Sequence, residues 1–516
     1  SDEYQKCLRA VRHLHAGGLV LVNRIIDGRV RSAEPYATAA FLNRMQRVSR
    51  LPLLVAGDFE RGDSMRLDSK TLFPHAMAFA AAGDVELSRA EGAITARQGV
   101  ALGIPWILAP VADVNNNPDN PIINTRSYGE NPETVSAHVR AFIQGVHSVK
   151  TALVTVKHFP GHGDTSTDTH LALAVNNAAR ERLDRIEFAP FRTAIAAGVD
   201  SVMSAHIAVP ALDAPGIPAT LSQPILTGLL RDALGFRGLI STDALDMQGI
   251  AHQWSAGQAA VKAIQAGVDV LLMPADPEAA INAVVAAVRR GDITRARIDR
   301  SLRRVLAAKV YAGLDRRRTV DLDRMLDQLD TPEDIQSAQT VAERALTLVR
   351  NERNLVPLSA SGKSCFLILT ENRVSQQGRV FAAEVRKRSP KAPLIFLDPA
   401  ASAADIDQAV TAAEACDTVA ASAFVSGAAF RGNPALLNRL IDAGKPLVLV
   451  SLGNPYLLRA FPKAPAYLAT YSNVPPSEAA AAKALYGEIA IGGRLPVSIP
   501  GLAALGDGIQ LPAVAR

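Results

Sequence analysis

Up to about residue 330, short apolar runs recur along the chain, each ending in a polar residue and each followed by a stretch of helical pattern. The runs are Gly18–Val22, Pro52–Ala56, Trp106–Ala109, Leu153–Val156, Ser201–Met203, Gly238–Ile240 and Val268–Leu272. Their apolarity is continuous rather than alternating, which predicts strands buried on both faces, as in a parallel sheet. The helices between them carry their own punctuation. Ser222 stands at a cap position with Pro224 in the first turn, and Gly235 follows the last turn. Gly198 and Gly267 stand in the same place after their own helices.

The polar residues at the end of each run decide the architecture. Asp58 comes after the second run, Asp113 and Asn115 after the third, Lys157 and His158 after the fourth, His206 after the fifth and Asp243 after the sixth. A doubly wound open sheet gathers its ligand groups at one switch point. Polar groups at the ends of many strands instead predict a barrel whose active site lies at the carboxyl-terminal rim. The expected fold is α/β, beginning with a (β/α)8-type TIM barrel, of which seven strands are visible.

Residues 294–314 and 331–350 are helical in pattern and join this part to the rest. Thr331 with Glu333 and Asp334 places a cap and acidic groups at a helix start, as the helix dipole prefers. New strands are expected at Cys365–Leu369, Pro393–Leu397, Thr418–Ala421, Pro446–Val450 and Ala466–Ala469, separated by alanine-rich helices. That alternation predicts a C-terminal three-layer α/β/α sandwich of about 180 residues. The boundaries drawn are 1–325 for the barrel domain and 326–516 for the sandwich. Two polar strand-end loops of the sandwich, Ser426–Asn433 and Ser472–Pro475, read as surface loops without a role.

Composition narrows the class. At 48% hydrophobic and 20% charged, the 516 residues read as soluble and globular. The net charge of +5 is spread out, and its one dense run, Arg316–Arg318, reads as a solvated linker, so no nucleic-acid partner is expected. No apolar stretch is long enough to span a bilayer, and no basic region followed by an apolar signal core opens the chain. Neither a dinucleotide fingerprint nor a phosphate loop is present. Cys7, Cys365 and Cys416 are too few and scattered for a disulfide framework or metal cage, so buried free thiols are expected.

The densest chemistry lies in Lys157–His170, which carries three histidines, two aspartates and a lysine in a glycine-rich loop after the fourth run. Three readings stand side by side. His158, His162, Asp164, Asp168 and His170 could bind a metal, since imidazole and carboxylate both suit zinc. Asp168 and His170 could form a proton-transfer dyad beside substrate-binding neighbours. All could simply hydrogen-bond the loop into shape.

The string Lys157-His-Phe-Pro-Gly-His-Gly-Asp164, followed by Asp168-Thr-His170, closely resembles the signature of glycoside hydrolase family 3, and within it the bacterial β-N-acetylglucosaminidase (β-N-acetylhexosaminidase) branch in its two-domain form. Thr242-Asp-Ala-Leu245 after Gly238-Leu-Ile-Ser resembles the family's nucleophile strand. Asp58–Arg66, Arg126 in Asn-Thr-Arg-Ser-Tyr-Gly and Val202-Met-Ser-Ala-His206 fall where members place recognition residues. The chain departs at Asp58-Phe-Glu-Arg-Gly, where many relatives have Asp-Gln-Glu-Gly-Gly, so Arg61 replaces a glycine.

The resemblance implies a retaining exo-β-N-acetylglucosaminidase. Asp243 would attack the anomeric carbon. His170 would protonate the leaving oxygen and later deprotonate water, with Asp168 accepting its other ring N–H. Imidazole titrates near neutral pH and so can act in both directions. Asp58, Arg66, Arg126, Lys157 and His158 would hold the terminal sugar through charged, directional hydrogen bonds. His162 and Asp164 would shape the loop, and His206 stays outside the catalytic set. The substrate implied is β-linked N-acetylglucosamine on peptidoglycan fragments or chito-oligosaccharides, with no cofactor and no metal. A neutral acid/base beside Asp243 would also admit phosphate, so a phosphorylase on the same site stays open. A metal-dependent barrel amidohydrolase is the alternative from another class, and a non-catalytic sugar-binding relative a third. Two-domain members are often exported, which makes a periplasmic or extracellular location the expectation. The oligomeric state stays open.

Overall fold

The computed structural model describes residues 2–26, 29–359, 361–424, 430 and 434–514. It divides into two compact units. One comprises Ser1–Thr71, Ser88–Val114 and Pro132–Ile335; the other comprises Leu72–Leu87, Asn115–Asn131 and Gln336–Arg516.

The first unit is built on six parallel strands: β1 (Gly18–Leu21), β2 (Leu54–Gly57), β3 (Trp106–Ile107), β4 (Leu153–Phe159), β5 (Ser201–Ser204) and β6 (Leu239–Thr242). Their order in space is their order in sequence. That winding is a barrel's and not a doubly wound sheet's. The seventh apolar run joins through a parallel bridge of Ser241 to Val270, and Thr242 N donates to the Val270 carbonyl at 3.0 Å. The result is a TIM-barrel-like half-barrel, with no eighth parallel strand among the described residues. Leu54, Ala56, Trp106, Leu108, Leu153, Met203, Leu239 and Leu272 fill its interior, joined by Ala308, Ala312 and Leu314 from the helix Arg295–Tyr311 and the turn after it. That helix begins where Thr294 accepts from Arg297 N at 3.2 Å.

Asp269, fully buried on the seventh run, anchors this end of the sheet. Its carboxylate meets Arg231, Arg297 and Arg304 and accepts from Ile240 N at 3.0 Å. A carboxylate with so many donors can be buried because none of its lone pairs is stranded.

The second unit is a separate sheet with helices. Its strands are β7 (Thr347–Asn351), β8 (Ser364–Leu369), β9 (Leu394–Leu397), β10 (Thr418–Ala423), β11 (Leu447–Ser451) and β12 (Ala466–Ala469). They lie in the order β7-β12-β11-β10-β8-β9, all parallel except β7 against β12. Phe366, Ile368, Val448, Val450 and Leu468 pack with Phe381, Val385, Ala481 and Leu485 from the helices Arg379–Arg388 and Pro475–Leu485.

Two expectations are corrected here. The helix expected over 331–350 is Pro332–Ala345, and the chain then extends as β7, because Leu348 and its neighbours pair with β12. Cys365 and Cys416 are not free thiols: they form a disulfide across 51 residues, with Cα atoms 5.9 Å apart. The adjacency of β8 and the start of β10 brings the two cysteines within bridging distance. Of the two strand-end loops, Ser426–Asn433 lies outside the described residues apart from Phe430. Ser472 is buried, with its Oγ 3.0 Å from His75 Nδ1 within the same unit.

Candidate active site

Lys157 and His158 were expected in a loop; they belong to the last residues of β4, buried on the sheet. Backbone bonding explains the extension. Ala112 N donates to the Lys157 carbonyl at 2.6 Å and Ala205 N to the Phe159 carbonyl at 2.7 Å, so both flanking segments still pair with the strand. Gly163 continues the segment against the third strand's loop. A Cβ there would lie 1.7 Å from the Val114 carbonyl oxygen, so only glycine permits this approach.

One group of side chains forms at the ends of β2 and β4. Lys157 Nζ sits between Asp58 Oδ1 at 2.8 Å and Glu60 Oε1 at 2.7 Å. Arg66 reaches the other Asp58 oxygen at 3.0 Å and Asn23 at 2.7 Å. Lys157 and Glu60 are nearly sealed from solvent, whereas the Asp58 carboxylate is a quarter exposed. Asp58 is thus fixed by two cations yet open on one side, as an acceptor for a ligand hydroxyl requires.

A second group centres on Asp113, fully buried after β3. It receives His158 Nδ1 at 2.7 Å, His158 N at 3.2 Å and His162 N at 2.6 Å. Burial alone would raise its pKa, but the His158 charge and these bonds outweigh it and hold the carboxyl below the usual range. The bonds fix the His158 ring. His162 is fixed as well, its Nδ1 2.8 Å from Thr165 Oγ1 and its Nε2 3.1 Å from Thr169 Oγ1. Asp164 pairs with Arg182 at 2.6 Å.

His170 differs from these. Its side chain is 57% exposed, and Asp168 Oδ1 holds both its Nδ1 at 2.8 Å and its backbone N at 2.9 Å. Asp243 follows β6, with its amide bonded to the Ser204 carbonyl at 3.2 Å and its Oδ1 accepting from Ala244 N at 2.8 Å. Burial pushes its pKa up, but His158, His206, the Ala244 amide and Lys157 together bring it below the usual carboxylate range. An anionic carboxylate is therefore maintained at this strand end.

Six of the expected residues that lie in the first unit, Asp58, Arg66, Lys157, His158, Asp168 and His170, fall into these ion-paired groups, and Asp243 stands at the end of β6. Arg126 belongs to the other unit, in the turn Asn124–Arg126, and donates to the Ile122 carbonyl at 3.1 Å. Sequence reasoning left Asp113 and Glu60 out of the site. Asp113 had a signal, its place after the third run; Glu60 had only its spacing from Asp58. Among the described residues no three histidines, cysteines or carboxylates converge as metal ligands; His158, His162 and His206 turn their nitrogens to protein partners.

The chain belongs to glycoside hydrolase family 3: residues 3–308 match the glycosyl hydrolase family 3 N terminal domain and residues 346–507 the family's C-terminal domain. Among its relatives is the β-N-acetylglucosaminidase/β-glucosidase of Cellulomonas fimi, 33% identical over 67% of this chain and 62% of that protein. The chain therefore spans less than two thirds of that relative's length. β-Hexosaminidase A of Pseudoalteromonas piscicida is 30% identical over 88% of this chain and 84% of that protein. The structure of a family 3 β-N-acetylglucosaminidase from Paenibacillus sp. str. FPU-7 superposes with a TM-score of 0.87 at 33% identity, covering 96% of this chain and 95% of that one.

Proposed function

We propose that this chain is a retaining exo-β-N-acetylglucosaminidase, releasing terminal β-linked N-acetylglucosamine from peptidoglycan fragments or chito-oligosaccharides, with its chemistry on the domain of residues 1–325. The names of the relatives support the sugar. The observation that supports the chemistry is geometric: Gly249 N, six residues after Asp243, donates to the Thr169 carbonyl at 3.2 Å, so the segment that carries His170 is bonded to the one that follows Asp243.

In this reading Asp243, kept anionic, attacks the anomeric carbon while the glycosidic bond breaks and His170 gives its proton to the departing oxygen. The imidazole then takes a proton from water as that water attacks the glycosyl-aspartate, which restores both groups. Asp168 accepts the Nδ1 proton, so Nε2 is the nitrogen that exchanges protons with the substrate. Asp58, Lys157, Arg66 and His158 hold the sugar, with Arg126 assigned to it by family resemblance.

The test is hydrolysis of aryl β-N-acetylglucosaminides. Asp243→Asn should lose at least about 1,000-fold in kcat for every aglycone. His170→Ala should lose about 100-fold or more with poor leaving groups and much less with acidic phenols, which depart without a proton. Near-normal rates in Asp243→Asn would overturn the nucleophile assignment. Sugar 1-phosphate as the main product in phosphate buffer would make the enzyme a phosphorylase.

A further inference from the structure

We infer that His206 is a positioning residue for the nucleophile, its Nε2–H holding the Ala244 carbonyl and thereby fixing the backbone that immediately follows Asp243. The inference rests on Asp243 being the nucleophile.

The geometry is specific. His206 follows β5 and is almost completely buried. Its Nε2 lies 2.8 Å from the Ala244 carbonyl oxygen, which can only accept, so Nε2 carries a hydrogen. Its Nδ1 lies 2.8 Å from Thr220 Oγ1, a hydroxyl that itself receives the Ser204 hydroxyl at 3.0 Å. The Thr220 hydroxyl faces two acceptors, Nδ1 at 2.8 Å and the Ala205 carbonyl at 2.9 Å, so the ring is held at both nitrogens.

The backbone around Asp243 and Ala244 is then held at three points. Asp243 N is on the Ser204 carbonyl, Ala244 N on the Asp243 carboxylate, and the Ala244 carbonyl on His206. Two of these anchors come from one segment, Ser204–His206, so the position of the carboxylate is set by the end of the neighbouring strand. The Ala244 N–H and carbonyl belong to successive peptide planes that meet at the Ala244 Cα, so the His206 bond limits rotation about that Cα and helps keep the N–H on Asp243 Oδ1.

The surroundings disfavour the cationic form of the ring. Burial lowers its proton affinity; Asp243 and the Ala244 carbonyl oppose this, and His158 and His170 reinforce it, leaving the pKa below the usual histidine value. In this reading the rim separates two duties: His206, bonded at both nitrogens, orients, and the exposed His170 transfers.

The test compares His206→Leu, His206→Gln and Asp243→Asn on a 2,4-dinitrophenyl and a 4-methylphenyl β-N-acetylglucosaminide, with circular dichroism and thermal melts of each variant. Glutamine can place an amide N–H near the position of Nε2, whereas leucine cannot. The Leu variant should lose about 100-fold in kcat with both aglycones and keep KM within about twofold, as a misdirected reacting group does. The Gln variant should recover at least about tenfold of that loss. The inference is overturned by an unchanged kcat in a folded Leu variant, or by a loss confined to the poor leaving group, which would make His206 a proton donor. A kcat loss that tracks the melting temperature, with folded Gln no better than Leu, overturns it too, since it reduces His206 to core packing. Full activity in Asp243→Asn would instead remove the nucleophile reading itself. A dead Asp243→Asn beside an unaffected His206→Leu removes only this inference.

Discussion

Asp63 lies in the short turn Asp63–Met65 that connects Asp58 to Arg66, and its side chain is fully buried. Neither carboxylate oxygen accepts a hydrogen bond of normal geometry among the described residues. Burial pushes its pKa up to about 7; Asp330 and Asp334 add to the shift, while Ser69, whose hydroxyl donates to Asp330 at 2.7 Å, and the Ser64 amide offset part of it. The backbone carbonyl of the same residue accepts Arg66 N and Leu67 N, both at 2.9 Å, so the turn that aims Arg66 at Asp58 is built on it. Replacing Asp63 by asparagine keeps the shape and removes the charge.

The sign comes from linkage. The native state holds this proton more tightly than the unfolded chain, whose aspartates titrate near 3.9. Between about pH 4 and pH 7 the native state therefore binds more protons, and stability falls as pH rises through that window. With a folded value of about 7, the loss relative to strong acid is about 1.5 kcal/mol at pH 5 and about 4.2 kcal/mol at pH 8. Asp63→Asn abolishes this dependence, at a constant cost of about 1 kcal/mol for an amide without partners. Its stability relative to wild type should thus improve by about 2.6 kcal/mol between pH 5 and pH 8. Both tryptophans, Trp106 and Trp254, lie in the first unit, so urea unfolding followed by tryptophan fluorescence reads the relevant domain. A difference between variant and wild type that is equal at the two pH values would refute the argument.

Three other outcomes are expected. Lys157→Met leaves Asp58 and Glu60 facing each other without their shared cation, so the first unit should lose about 3 kcal/mol in urea unfolding and turnover should collapse with it. Asp269→Asn strips the anion from Arg231, Arg297 and Arg304 far along the sheet from β1, and should destabilise by about 3–5 kcal/mol while any protein that remains folded keeps its KM. Thiol titration in denaturant without reductant should find one reactive cysteine per chain, Cys7, and three after reduction; three without reduction would contradict the Cys365–Cys416 bridge.

The half-barrel was legible because its strands are buried on both faces, and little besides a buried parallel strand produces a short, continuous apolar run ended by a charged residue. The same rule misplaced the end of β4. Lys157 and His158 look like the start of a loop, yet the backbone continues to pair while the side chains find ionic partners from β2 and β3. The β2 partners, Asp58 and Glu60, are separated from Lys157 by about a hundred residues of sequence, and no local pattern announces them. Asp113 escaped for the related reason that its value lies in three hydrogen bonds to another strand and the loop after it. β7 was hidden in Thr347–Asn351 because no proline or glycine breaks the helical pattern before it. Only pairing with β12 decides the conformation there. The packing of Leu72–Leu87 and Asn115–Asn131 with the second unit likewise has no signature in composition or periodicity.

The histidines at the rim show how one side-chain chemistry is divided into separate tasks. His158, His162 and His206 are buried, and each is pinned by a carboxylate, a hydroxyl or a carbonyl. These bonds prevent the rings from turning, so they act as fixed supports. A group that must give a proton to a leaving oxygen and then take one from water has the opposite requirements. It needs access to both, and a partner that stabilises the cation formed between the two steps. His170 is the histidine of this cluster that meets them, because the bond to Asp168 supplies the counter-charge without closing the ring off from solvent. In the proposed mechanism, exchanging exposure for burial at this position would convert the proposed proton carrier into another support, even with every polar atom retained.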